Sequence, residues 1–147
     1  MRHGGRFNRR GLAALYTSLR PETAWLEAQQ GFAFKAQPLT ICQYDVECAD
    51  VVDLTDPAVL AVLSVDAPEL GSAWERIVDD GQIPPSWLLA DRLKAEGVAA
   101  ILVRSFAPGA TPHDVNAVFW QWGRTLPHMV KVVDDGGRLP RDDGSWR

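Results

Sequence analysis

Val98-Ala99-Ala100-Ile101-Leu102-Val103-Arg104-Ser105 begins with six apolar residues in succession and closes on a cation and a hydroxyl. An apolar run this short and continuous suits a strand buried on both faces. It predicts a central strand over 98–103 that delivers Arg104 and Ser105 at its end. Downstream, Phe106 to Pro112 is rich in proline and glycine and reads as a loop. Val115 to Trp122 and Met129 to Val133 are strand-like, and Asp134 to Arg147 is a polar, turn-rich tail.

Upstream, the period changes. Val59, Leu60 and Leu63, then Trp74, Ile77 and Val78, then Leu88, Leu89 and Leu93 recur at helical spacing. They predict two or three helices between Pro57 and Gly97, interrupted by the Gly81 to Pro85 break. Leu39 to Val46 alternates apolar and polar residues, and Val51 to Leu54 is β-prone, so two more strands are expected there. Pro21 suits a first helical turn, and Glu22 to Gln30 supplies helix formers ending at Gly31, which puts Glu27 in mid-helix. Leu12 to Thr17 reads as a short strand. Before it, Gly4-Gly5 and Gly11 bracket Arg6 to Arg10 as a shaped loop. The pattern is α+β, a small central sheet flanked by helices, in a single domain over 1–147 with no repeat and no low-complexity tract.

Composition narrows the function. The 147 residues are 46% hydrophobic and 23% charged, the balance of an ordinary globular chain. A formal charge of -4 opposes a broad nucleic-acid surface. No apolar run approaches the roughly 20 residues of a membrane span, and the N-terminus lacks a signal-peptide core, which points to the cytoplasm. Cys42 and Cys48 have neither metal-ligand spacing nor a histidine partner and read as reduced, buried thiols. His3, His113 and His128 are likewise not spaced as metal ligands, so no metal is expected. Trp74, Trp87, Trp120 and Trp122 sit in periodic apolar stretches and read as core. One charge asymmetry stands out: Arg2, Arg6, Arg9, Arg10 and Arg20 precede the first acid, Glu22. Such a cationic segment suits a small anionic ligand, or else is a solvated terminus.

The chain carries Gly4-Gly5-Arg6-Phe7-Asn8, then Leu15-Tyr16, then Pro21-Glu22-Thr23-Ala24-Trp25-Leu26-Glu27, Arg104-Ser105, Asn116 and a closing Gly137-Arg138-Leu139-Pro140. In this order they resemble the RES-domain family, toxins of type II toxin-antitoxin pairs named for an arginine, a glutamate and a serine that match Arg6, Glu27 and Ser105. The resemblance covers nearly the whole chain. It implies an ADP-ribosyltransferase-like fold, related to the diphtheria-toxin kind and built on a mixed sheet. It also implies NAD as substrate, cleaved at the nicotinamide-ribose bond, with ADP-ribose passed to water, phosphate or a protein side chain. It further implies a cognate antitoxin, with a helix-turn-helix, that occludes the cleft. Family members usually carry a further segment with another arginine ahead of the glycine loop, so the domain looks short at its N-terminus. A catalytically impaired module that mainly binds its antitoxin is the alternative.

Physical roles follow residue by residue. Nicotinamide departure builds oxocarbenium character on the ribose, which a fixed carboxylate at Glu27 can stabilise. Arg6 offers a planar, permanent cation to pyrophosphate or ribose oxygens. Tyr16 can stack on nicotinamide with its hydroxyl at a polar rim. Ser105 can bond the nicotinamide amide, a phosphate or Glu27, but is not read as a nucleophile, since no histidine-acid pair accompanies it. Asn116 supports the site or a nearby turn, and Arg9 or Arg10 can add a phosphate contact. For each the plainer reading stays open: a solvated glutamate, a surface arginine, a core tyrosine, a strand-end cap.

Overall fold

The computed structural model describes residues 4–29 and 39–139. Four strands form one sheet in the order β1 (Leu15–Ser18), β5 (Val115–Phe119), β4 (Ala100–Arg104), β3 (Val51–Asp53). β1 and β4 both run antiparallel to β5, whereas β3 runs parallel to β4. The sheet is therefore mixed, and the expected α+β class holds. A second, two-stranded sheet pairs β2 (Tyr44–Cys48) antiparallel to β6 (His128–Val132).

The apolar run quoted first enters β4 at Ala100 rather than Val98, and the strand includes Arg104; it lies inside the sheet, where Ala100 and Ile101 are at most 1% exposed. Alternation sends its residues to opposite faces. Ile101, Val103 and Val118 face a helical layer and pack with Leu70, Leu89, Ala90 and Leu93. Ala100, Ala117 and Phe119 face the small sheet and pack with Val130, Tyr44 and Cys48. Helices thus cover one face and the second sheet covers the other, so "flanked by helices" holds for one side only.

The helical stretch between Pro57 and Gly97 divides more finely than its apolar spacing predicts. It forms α2 (Pro57–Leu63), α3 (Ala67–Leu70), α4 (Trp74–Asp79) and α5 (Pro85–Ala95). The divisions follow local stop and start chemistry. Asp56 caps α2 by accepting from the Ala58 N–H, and Ser64 ends it in a left-handed conformation at φ 54°. Pro68 and Pro85 then sit in opening turns, where a missing N–H costs nothing. The Gly81 to Pro85 break separates α4 from α5, as expected. α1 spans Pro21–Gln29, and Gly31 lies outside the described residues.

Several expectations are corrected. The ladder of β2 begins at Tyr44 rather than Leu39, because Leu39 and Ile41 are exposed and their alternation marks no buried face. Cys42 is exposed and Cys48 only partly buried, since one precedes the strand and the other ends it. Trp87 is buried, but Trp122 follows β5 and is 40% exposed. Among the described residues, no helix is long and apolar enough to cross a membrane.

Candidate active site

The site is assembled from three ends of chain. The first is the glycine loop. Gly4 adopts φ +80°, a left-handed conformation that favours glycine. At Gly5 a Cβ would meet Tyr16 Oη at 2.5 Å and Asn8 Oδ1 at 2.6 Å, so a side chain is sterically excluded. Two indoles hold the loop from below: Trp87 Nε1 donates to Gly5 O at 2.7 Å and Trp120 Nε1 to Phe7 O at 2.9 Å. Phe7 enters the helical core at 2% exposure. The loop thereby fixes Arg6. Arg6 Nη1 donates to Leu70 O and Ser72 O at 2.9 and 2.7 Å, and its guanidinium lies 4.6 Å above the Phe106 ring. Burial pulls its pKa below the usual arginine value, while Glu27, Tyr16 and Glu75 oppose the shift by charge. The group stays cationic, since arginine does not lose its proton in proteins.

The second end is β1. Tyr16 accepts from the Phe7 N–H at 2.9 Å and donates to Asn8 Oδ1 at 2.7 Å. Its hydroxyl therefore ties the strand to the glycine loop rather than standing at a free polar rim, although the residue as a whole is 39% exposed. Burial raises the phenol pKa to about 12, partly offset by the Phe7 N–H and by the charge of Arg6. Tyr16 is a neutral donor at physiological pH.

The third end brings together Glu27, Ser105 and Asn116. Ser105 Oγ donates to Glu27 Oε1 at 2.6 Å, and Asn116 Nδ2 donates to the same oxygen at 2.5 Å. Ser105 follows β4 and Asn116 lies within β5, so adjacent antiparallel strands aim both donors at α1. Ser18, at the end of β1, donates to Asn116 Oδ1 at 2.6 Å. The acceptor-only carboxylate of Glu27 decides which way the amide faces, and Ser18 then donates to the amide oxygen on the other side. Ser105 also accepts the Ala107 N–H at 3.2 Å. A cap and a glutamate partner are here one residue's work.

Arg6, Tyr16, Glu27, Ser105 and Asn116 thus all lie at the helix-facing side of one sheet end. The charge of Glu27 reaches Arg6, and Tyr16 joins Arg6 through the glycine loop. Arg9 and Arg10 do not join. Arg9 is bonded to Asp91 at 2.7 Å over the Trp87 ring, and Arg10 is exposed. Sequence reading missed Asn8, Ser18, Thr23 and Asp114 and the donor role of Trp87 and Trp120. One local signal was present: Thr111-Pro112-His113-Asp114 is a hydroxyl-carboxylate turn, and Asp114 Oδ2 accepts both the Thr111 N–H and its hydroxyl.

A groove of about 960 Å³ runs between the two sheets, lined by Ala100, Leu102, Ala117, Phe119, Tyr44 and Val46 among others. It lies on the other face of the sheet and meets the site's residues only at Tyr16 and Ser18. Volume and chemistry are separated in this fold. The polar convergence on Glu27 and the apolar groove therefore lie on opposite faces of the sheet. No curated protein and no solved structure matches the chain. The family model of the RES domain matches residues 1–142, nearly the whole chain, and the chain therefore belongs to the RES-domain family.

Proposed function

We propose that the chain consumes NAD, breaking the nicotinamide-ribose bond and passing ADP-ribose to an acceptor. The observation that carries this reading is the convergence of Ser105 and Asn116 on one oxygen of Glu27. As the bond breaks, its electron pair leaves with nicotinamide and cancels the pyridinium charge. Cationic character then grows on the ribose. A carboxylate already held in one orientation offsets that charge without reorganising, which is the main source of electrostatic catalysis. The acceptor's lone pair closes the new bond, and its proton is released.

Arg6 binds and orients the dinucleotide. With Nη1 committed to two carbonyls, Nε and Nη2 keep no hydrogen-bond partner among the described residues and suit phosphate oxygens. Tyr16 supports the loop that carries Arg6 and offers its ring to nicotinamide. Water, inorganic phosphate and a protein side chain are all chemically competent acceptors. The chain acts as the toxin of a type II pair in the cytoplasm, with a helix-turn-helix antitoxin as its partner.

Purified chain incubated with NAD, with and without phosphate, tests this. Wild type is expected to deplete NAD, and Glu27→Gln to slow the loss by about 100- to 1,000-fold, the effect of removing one electrostatic stabiliser. Free ADP-ribose identifies water as acceptor, a phosphorylated ADP-ribose identifies phosphate, and mass increments on proteins identify a side chain. Absence of NAD loss and of modified protein with wild type refutes the reading. Antitoxin binding by such an inactive chain would leave a binding module in its place.

A further inference from the structure

Asp114 is 5% exposed and Thr23 is fully buried, yet neither touches the loop of Arg6 or the carboxylate of Glu27 in any bond described above. Thr23 Oγ1 donates to Asp114 Oδ1 at 2.6 Å, across 91 residues of sequence. Asp114 Oδ2 accepts the Thr111 N–H and hydroxyl at 2.8 and 2.9 Å. The backbone of Asp114 is engaged as well: its carbonyl accepts the Ser105 N–H at 2.7 Å. A buried carboxylate is costly unless several donors satisfy it, so this degree of engagement has a strong geometric consequence.

Thr23 precedes Glu27 by one turn of α1, which puts both on one face of the helix. Asn116 follows Asp114 by two residues as the chain enters β5. One residue therefore sets the position of all three parts of the carboxylate cluster. It holds α1 through Thr23, Ser105 through a main-chain bond, and Asn116 through the strand that follows it. We infer that Asp114 and Thr23 are positioning residues, a clamp that registers Glu27 against Ser105 and Asn116. The inference rests on Glu27 being the reacting carboxylate. The local Asp114–Thr111 turn would close the loop without Thr23, so the Thr23 hydroxyl is the part of the clamp that serves the helix.

Thr23→Val keeps the shape and removes only that hydroxyl. Two readouts are required. The first is the side-chain amide signal of Asn116 in nuclear magnetic resonance spectra, which is independent of turnover. It is expected to move in Thr23→Val toward its position in Glu27→Ala, and to return in Thr23→Ser. The second is NAD consumption: kcat should fall by about 10- to 100-fold, the scale of a small misplacement of a reacting group, with KM changed less than about twofold. Thr23→Ser should restore it. Asp114→Asn should show both effects, more strongly. An unmoved Asn116 signal in folded Thr23→Val overturns the clamp, as does a wild-type kcat in that variant. Should wild type consume no NAD while the Asn116 signal responds as expected, the clamp stands and the reading of its purpose fails.

Discussion

The two faces of the four-stranded sheet are made from the same short strands and behave in opposite ways. On one, Ile101, Val103 and Val118 pack under α5, and Ser18 and Asn116 continue the same side as a chain of hydrogen bonds ending at Glu27. On the other, Ala100, Leu102, Ala117 and Phe119 meet the β2–β6 pair across a broad groove with little fixed polar structure. Of these four, Ala100 and Ala117 are small and leave room there. The helix-facing side spends its volume on close packing, which holds the polar groups at its end in single orientations. Close packing of this kind is what keeps fixed polar groups from reorganising.

The contrast can be broken first by volume. Ile101 is completely buried, and Ile101→Ala should cost about 2–5 kcal/mol, the range for emptying a packed core position. Leu102 is only partly buried on the groove side, and Leu102→Ala should cost about 1 kcal/mol. Denaturant unfolding of the two variants gives the comparison, and equal losses would mean that both faces are equally well packed.

Acid sharpens it next. The Thr23 hydroxyl, then the N–H and hydroxyl of Thr111, hold the Asp114 carboxyl down to about 2. A folded value below the unfolded value of about 4 means that the stabilisation is complete above pH ~4 and lost as pH falls toward 2. Wild type should melt higher than Asp114→Asn at neutral pH, and the gap should close across that window. A gap of constant width from pH 5 to 2 would show that the charge of Asp114 contributes nothing.

The smallest effect belongs to the groove. Burial pushes the Cys48 thiol up, and the charge of Asp50 adds to the shift. Cys42 is exposed. A thiol reagent should label Cys42 first, by mass, with Cys48 following more slowly because less thiolate is present. Equal rates would mean that the groove opens freely to reagent at Cys48.

Much of this was legible in the residues. The apolar run at 98–103 marks the central strand because nothing but burial tolerates it, and Pro21 opens α1 through its own geometry. The glycine pair before Arg6 marks a shaped loop, and the atoms that crowd Gly5 are the hydroxyl of Tyr16 and the amide of Asn8. What stayed hidden is pairwise. Ser18 and Thr23 look like any polar residues of a strand and a helix, and their partners lie 98 and 91 residues away. Trp87 and Trp120 have the spacing of core residues, and their bulk does pack, but each also spends its one donor on the glycine loop. The number of helices was underread because short caps at Asp56 and Ser64 interrupt an apolar rhythm that itself continues.

The carboxylate of Glu27 meets its partners 78 and 89 residues later in the chain. During synthesis the arginine, tyrosine and glutamate emerge early, but the cluster can close only after β5 has left the ribosome. A chain that is still growing, or one cut short before Asn116, carries Arg6, Tyr16 and Glu27 without the full set of bonds that Ser105 and Asn116 supply. The order of the elements thus makes closure of the carboxylate cluster wait for β5, the last strand of the four-stranded sheet.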